Sequence, residues 1–255
     1  MGMLDGKVAV VVGGHSGFGE AIAHRFRNEG ATVLVAGRRA DLVDVVCDIT
    51  DDDQVQQLVA TTLERHGRID IAVNGAGFEQ STPIAELTPD KLESMLAVQL
   101  SGALYCMRHL GNAMAAGGGG AFLSLSSLTA HNPTRGLAAY ASAKAGVEYA
   151  TKIAAVEYGA QQVRFNCVAA SLIETPMTER IFRIEPVIQT FVELTPLGRM
   201  GTVDDIAGAA LFLCGPDGNF ITGQTLCVDG GGSLLALPTP QMMADVTRRW
   251  KEAQS

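Results

Sequence analysis

Tyr140 and Lys144 are four residues apart in a stretch with helical spacing, so their side chains fall on one face of a helix. Free tyrosine has a pKa of about 10 and is almost wholly phenol at neutral pH. A neighbouring ammonium favours the phenolate and lowers that value. A tyrosine tuned in this way gives a proton to a carbonyl oxygen or takes one from an alcohol. Ser126 and Ser127 end an apolar run upstream. A serine hydroxyl at such a point can hold the same oxygen and stabilise the charge that develops on it. Alone, a Y-x-x-x-K pair is a common surface feature; its weight here comes from what precedes it in the chain.

First among these is the turn Gly13-Gly14-His15-Ser16-Gly17-Phe18-Gly19, set between an apolar strand and a helix. Glycine serves where the backbone takes positive φ or must approach a ligand closely. The helix that follows offers free N–H groups and the positive end of its dipole to a pyrophosphate. The spacing is G-x-x-x-G-x-G, and its place directly after the first strand points to a dinucleotide site. At the end of the second strand the chain reads Ala36-Gly37-Arg38-Arg39. A carboxylate there would favour NAD, and an arginine accommodates the 2′-phosphate of NADP. Gly37 stands in the place of the acid, and the guanidinium fork of Arg38 or Arg39 suits a phosphate. NADP(H) is therefore favoured. NAD(H) stays possible, because Asp41 and Asp44 are near enough to serve a ribose and both arginines also read as solvated surface charges.

The elements that must position these groups alternate along the chain. Strands are expected at Val8–Val12, Thr32–Ala36, Ile69–Val73, Ala121–Leu125, Val163–Val168 and Gln224–Val228. Helices are expected at Glu20–Asn28, Val55–Arg65, Pro89–Met107, Ala138–Glu157 and Val203–Leu213. Fully apolar strands followed by helices are the pattern of a parallel sheet covered on both faces. The expected fold is α/β: one doubly wound domain over residues 1–255, with a parallel sheet of about seven strands flanked by helices on both faces. The stretch 172–199 reads as a lid and 234–255 as a C-terminal extension.

Composition limits the alternatives. The 255 residues carry 27 acidic and 19 basic side chains, a net charge of −8, with no basic tract. Nucleic-acid binding needs clustered Lys and Arg and is not expected. The five cysteines are widely spaced with no C-x-x-C, so no metal site is expected and buried reduced thiols are. The N-terminus lacks the charge and cleavage pattern of a signal peptide, and no run reaches the length of a membrane span. A cytoplasmic protein without a membrane partner is the resulting expectation.

Taken together, the motifs resemble those of the short-chain dehydrogenase/reductases over residues 4–233. The glycine turn resembles that family's cofactor loop. Cys47-Asp48-Ile49-Thr50 is similar to its adenine-contacting segment, and Asn74-Gly75-Ala76-Gly77 to its N-N-A-G. Tyr140-Ala141-Ser142-Ala143-Lys144 matches Y-x-x-x-K, and Phe220–Gln224 with Val228–Gly231 resembles the C-terminal strand region. The resemblance implies Tyr140 as acid/base, Lys144 on the nicotinamide ribose, and Ser127, thirteen residues before the tyrosine, as the substrate-orienting serine. With Arg38 and Arg39 from the second strand's end, the expected cofactor contacts are Gly13, His15, Ser16, Gly17, Phe18, Gly19, Asp48, Ile49, Asn74, Ala76, Gly77, Tyr140, Lys144, Ile173 and Thr175. It also implies a homotetramer, built through the long helices and last strand.

Departures from the family pattern are Val12 for Thr, Gly75 for Asn, and Ala170-Ser171 for Pro-Gly. Gln99 stands where the family has its fourth catalytic residue, an Asn, and can present the same amide to a water relay from Lys144. The segment from Arg39 to Cys47 looks too short for the usual helix. The implied activity is NAD(P)(H)-dependent hydride transfer between nicotinamide and an alcohol/ketone or 3-oxoacyl pair. The lid's Ile181, Phe182, Ile184, Val187, Ile188 and Phe191 suggest a hydrophobic or cyclic small-molecule substrate, or simply an amphipathic lid packed on its own core. Two alternatives stay open: an NAD-dependent steroid, cyclic alcohol or dihydrodiol dehydrogenase, and a cofactor-binding sensor or scaffold with weak catalysis.

Overall fold

The computed structural model of the chain describes residues 2–234. Its seven strands are β1 Val8–Val12, β2 Thr32–Gly37, β3 Val45–Val46, β4 Ile71–Asn74, β5 Gly120–Ser127, β6 Val163–Ala170 and β7 Thr225–Val228. They form one parallel sheet in the order β3-β2-β1-β4-β5-β6-β7. The helices are α1 Gly17–Asn28, α2 Asp52–His66, α3 Pro89–Leu96, α4 Gly102–Ala116, α5 Ala138–Tyr158, α6 Glu179–Phe182, α7 Glu185–Glu193 and α8 Val203–Cys214. This is the doubly wound arrangement the sequence led us to expect.

The uninterrupted apolar run of β1 has a simple cause: both faces of the sheet are covered, and successive side chains alternate between them. Ala9 and Val11 pack with Ile22 and Phe26 of α1 and with Ile206 and Leu211 of α8. Val10 and Val12 pack on the other face with Leu58 of α2, Leu110 and Met114 of α4, and Val147 of α5. Chain order reverses where β1 lies between β2 and β4. A crevice opens beyond the carboxyl ends of the strands at such a switch point.

Three local features differ from expectation. Strand β3 is only two residues long, too short to leave a periodic signal, and was not expected as a separate element. Only Arg38–Asp44 separates it from β2, with no helix in between, as the short segment suggested. The long helix expected to end at Met107 instead runs on to Ala116 as α4, burying Leu110 and Met114. It is broken at Ala97–Ser101 by a π turn, which shifts the side-chain phase and points Gln99 inward. The expected C-terminal extension lies outside the described residues apart from Leu234, and no described helix is long and apolar enough to cross a membrane.

Candidate active site

The crevice at the strand ends is a cavity of about 840 Å³. Its floor is the turn between β1 and α1. Gly13 has φ +74°, and a Cβ there would lie 2.8 Å from the backbone nitrogen of Ala76. A Cβ on Gly19 would lie 2.3 Å from the carbonyl oxygen of Gly13. Only glycine lets the turn close this tightly. Ser16, the N-cap of α1, makes no side-chain capping bond, so its hydroxyl leaves the helix's first N–H groups free for a ligand. Glycine cradle and uncapped helix together fit the pyrophosphate of a dinucleotide.

His15, Gly17, Phe18 and Arg38 also line this end of the cavity. Gly37 packs against the His15 ring, whose Nδ1 is buried without a hydrogen-bond partner. Arg38 is exposed and has no ion pair among the described residues, whereas Arg39 pairs with Asp41 at 3.3 Å and does not line the cavity. Asp48 and Ile49 line the adjoining wall. The Asp48 carboxylate accepts from the Thr50 backbone N–H at 3.0 Å and hydroxyl at 2.9 Å. Ala76 and Gly77 complete the wall below β4. Asn74 is buried behind them, accepting from the Ala76 N–H at 3.3 Å.

The other half of the cavity holds the chemistry-bearing set. Ser127 and Tyr140 both face it. Ser126 borders it too, but its hydroxyl is engaged by Glu148 of α5. The Ser127 hydroxyl is fixed by Thr129, which donates to it from its backbone N–H at 3.2 Å and its hydroxyl at 3.0 Å. Lys144 is buried beneath Tyr140. Its ammonium lies 5.7 Å from the centre of the tyrosine ring and donates to the Leu125 carbonyl at 2.7 Å.

The expected lowering of the Tyr140 pKa by Lys144 is not what the protein alone produces. Burial pushes the phenol up to about 12, the neighbouring Ser127 hydroxyl pulls the other way, and the Glu79 carboxylate adds to the rise. Lys144 is itself lowered to about 8 by burial. With the ammonium directed at a backbone carbonyl, desolvation governs the phenol, and Tyr140 is held as a proton donor at neutral pH.

Gln99 also departs from expectation. Its amide nitrogen donates to the Phe78 carbonyl, and its Oε1 is buried with no partner. A Cβ on Gly77 would come within 2.9 Å of that amide. Gln99 thus braces the loop after β4 and does not line the cavity. Ile173 and Thr175 line it and are held by Thr178, whose hydroxyl donates to the Ile173 carbonyl at 2.6 Å and accepts from the Thr175 N–H at 3.0 Å.

Over the substrate end lie Met177, Ile181, Phe191 and Leu194 from the segment containing α6 and α7. No residue of those two helices is buried, so they have no core of their own. The facing wall is polar, with Glu79, Ser81, Asn132, Thr134 and Arg135. Glu79 and Arg135 had no sequence signal: they lie in loops that meet only in the fold. Of the cysteines, four are buried as expected, but Cys227 is exposed on the edge strand β7.

A family model described as Enoyl-(Acyl carrier protein) reductase matches residues 12–233. The 3-oxoacyl-[acyl-carrier-protein] reductase FabG of Thermotoga maritima is 31% identical over 243 residues, covering 89% of this chain and 98% of that protein. The 7alpha-hydroxysteroid dehydrogenase of Escherichia coli K12 is 31% identical, covering 90% and 95%. A gluconate 5-dehydrogenase from Burkholderia cenocepacia, solved with NADP and tartrate, superposes with a TM-score of 0.88 at 27% identity, covering 91% and 97%. These likenesses cover about nine-tenths of the chain. The chain belongs to the short-chain dehydrogenase/reductase family.

Proposed function

We propose that this protein is an NAD(P)(H)-dependent oxidoreductase that interconverts an alcohol and a ketone, or a 3-oxoacyl group, with Tyr140 as its acid/base. The observation that carries the reading is that Ser127 and Tyr140 face the same cavity whose other end is the glycine cradle. A bound nicotinamide would supply or accept the hydride. The chain's own residues do the rest. Gly13, Ser16, Gly17 and Gly19 receive the pyrophosphate; Asp48 and Ile49 border the adenine; Ile173 and Thr175 border the nicotinamide. Ser127 holds the substrate oxygen, and Tyr140 gives its proton to that oxygen as negative charge develops there. A phenol held at about 12 is fully protonated at neutral pH, which suits reduction. Lys144, buried beneath the ring, places a positive charge where the phenolate forms.

For the cofactor we favour NADP(H). Arg38, without an ion pair among the described residues, can meet a 2′-phosphate, and the unpaired Nδ1 of His15 lies beside Gly37, where an acid would have selected NAD. Residues 172–199 act as the lid of a single catalytic domain, and their apolar wall opposite the polar loops suits an amphipathic carbonyl compound. Exposed Leu104, Tyr149, Ile153 and Val156 on α4 and α5 fit the tetramer contacts that the resemblance implied. Mostly buried, free thiols fit a reducing cytoplasm.

Oxidation of NADPH and NADH, followed at 340 nm over 3-oxoacyl thioesters, cyclic ketones, steroid ketones and keto sugars, tests this. We expect turnover of at least one carbonyl class, with NADPH saturating at lower concentration. Tight nucleotide binding with no turnover over the whole panel would favour the sensor reading; saturation by NADH well below NADPH would reverse the cofactor preference.

A further inference from the structure

Next to Lys144 lies a polar cluster that the proposed chemistry does not use. Glu148 follows Lys144 by one turn of α5 and is only 7% exposed. Ser126 donates to its Oε1 at 2.5 Å, and His131 Nε2 lies 3.1 Å from its Oε2. The His131 ring is 39% exposed, so the cluster runs from the buried lysine to the surface. A buried carboxylate is costly unless its charge is met. Here its neighbours include the buried ammonium that the active site needs.

We propose that Glu148 is a positioning residue of the active site: its carboxylate is the fixed counter-charge that keeps Lys144 an ammonium, and through Ser126 it ties the end of β5, which carries Ser127, to the helix that carries Tyr140. Two facts give this direction. Burial drives Lys144 down, while Cys167 and then Glu148 raise it again, leaving it at about 8. Burial also pushes the Cys167 thiol up to about 12, and Glu148 sits one turn beyond Lys144 on the same helix.

The titratable groups facing Lys144 among the described residues are Tyr140, Cys167 and Glu148. Those facing Glu148 are Lys144 from the same helix, His131 from the turn after β5, Cys167 from β6 and Cys227 from β7. His131, when protonated, competes with Lys144 for the carboxylate's field. Gln99 is a neutral amide and offers no such charge, and its nitrogen is bonded to the Phe78 carbonyl.

The sign follows from the lysine. It is charged below its folded pKa and neutral above it, so a contact that depends on the ammonium is present at lower pH and lost as pH rises through that value. Removing the counter-charge moves the loss to lower pH. The role of Lys144 at the nucleotide rests on the function proposed above, so the test has a cofactor-free arm. Competitive acetylation with acetic anhydride, read by mass spectrometry on the Lys144 peptide, reports the lysine's midpoint directly. Glu148→Gln keeps the shape and can still accept from Ser126; we expect its midpoint to fall by about one pH unit. Glu148→Asp keeps the charge and should lower it by less. His131→Gln, which leaves both Glu148 and Lys144 in place, should keep the wild-type midpoint.

NADPH fluorescence titrated against pH should show the same displacement for Glu148→Gln. Melting temperatures without nucleotide check that each variant is folded. An unmoved midpoint in a folded Glu148→Gln overturns the proposal, and so do equal shifts for Gln and Asp. A wild-type protein that binds neither NADPH nor NADH, while the acetylation midpoint still moves, would sink the proposed function and leave the counter-charge standing.

Discussion

The two ends of the cavity are built on different physical terms. At the nucleotide end the wall is backbone: glycines held against neighbouring chain at 2.3–2.8 Å from where a Cβ would stand, on strands with both faces buried. At the substrate end it is side chains, from a lid whose helices bury no residue and from loops that carry Glu79 and Arg135. A backbone cradle tolerates almost no change in sequence. A wall of half-exposed side chains can be rewritten without disturbing the sheet. The relatives fit that division, being named for acyl, steroid and sugar-acid substrates while each aligns with about nine-tenths of this chain.

The largest effect should come from filling the cradle. Gly19→Ala places a Cβ against the Gly13 carbonyl, and we expect a loss of about 1–3 kcal/mol of stability by overpacking, together with weakened nucleotide binding. Chemical denaturation checks the first and NADPH fluorescence the second. A variant as stable as wild type, with unaltered affinity, would mean that the turn is looser than described. Next is the ribose corner. Arg38→Ala should weaken NADPH about tenfold or more, the worth of a charge-assisted hydrogen bond, and leave NADH almost unchanged. Equal losses for the two would show that Arg38 does not read the phosphate. The smallest effect belongs to the lid: Phe191→Ala should raise KM for a carbonyl substrate a few-fold while the NADPH dissociation constant holds. If nucleotide affinity fell instead, the two ends would not be separable.

The same division sets what the sequence reveals. Strand β1, the glycine turn and the Tyr140–Lys144 pair are legible because each depends on local spacing. The choice of Ser127 over Ser126 follows from family spacing, and the bond of the Ser126 hydroxyl to Glu148 gives a physical reason for it. Strand β3 leaves no signal because two residues make no period. The end of helix α4 is hard to see in sequence because its last turns alternate buried Leu110 and Met114 with Arg108, Asn112 and glycine, which blurs the apolar stripe. Gln99 reads as a relay amide from its position, but the π turn directs that amide to the Phe78 carbonyl. The rise of the Tyr140 pKa is invisible in sequence, since it comes from burial and from Glu79 on a distant loop.

The central claim is that the Tyr140 hydroxyl transfers the proton beside a bound nicotinamide. Tyr140→Phe removes that one oxygen and keeps the ring that covers Lys144. NADPH binding and turnover of the best carbonyl substrate, measured side by side for this variant and wild type, test the claim most directly. We predict unchanged NADPH affinity and a rate at least ~10²-fold lower. Turnover within a few-fold of wild type would contradict it.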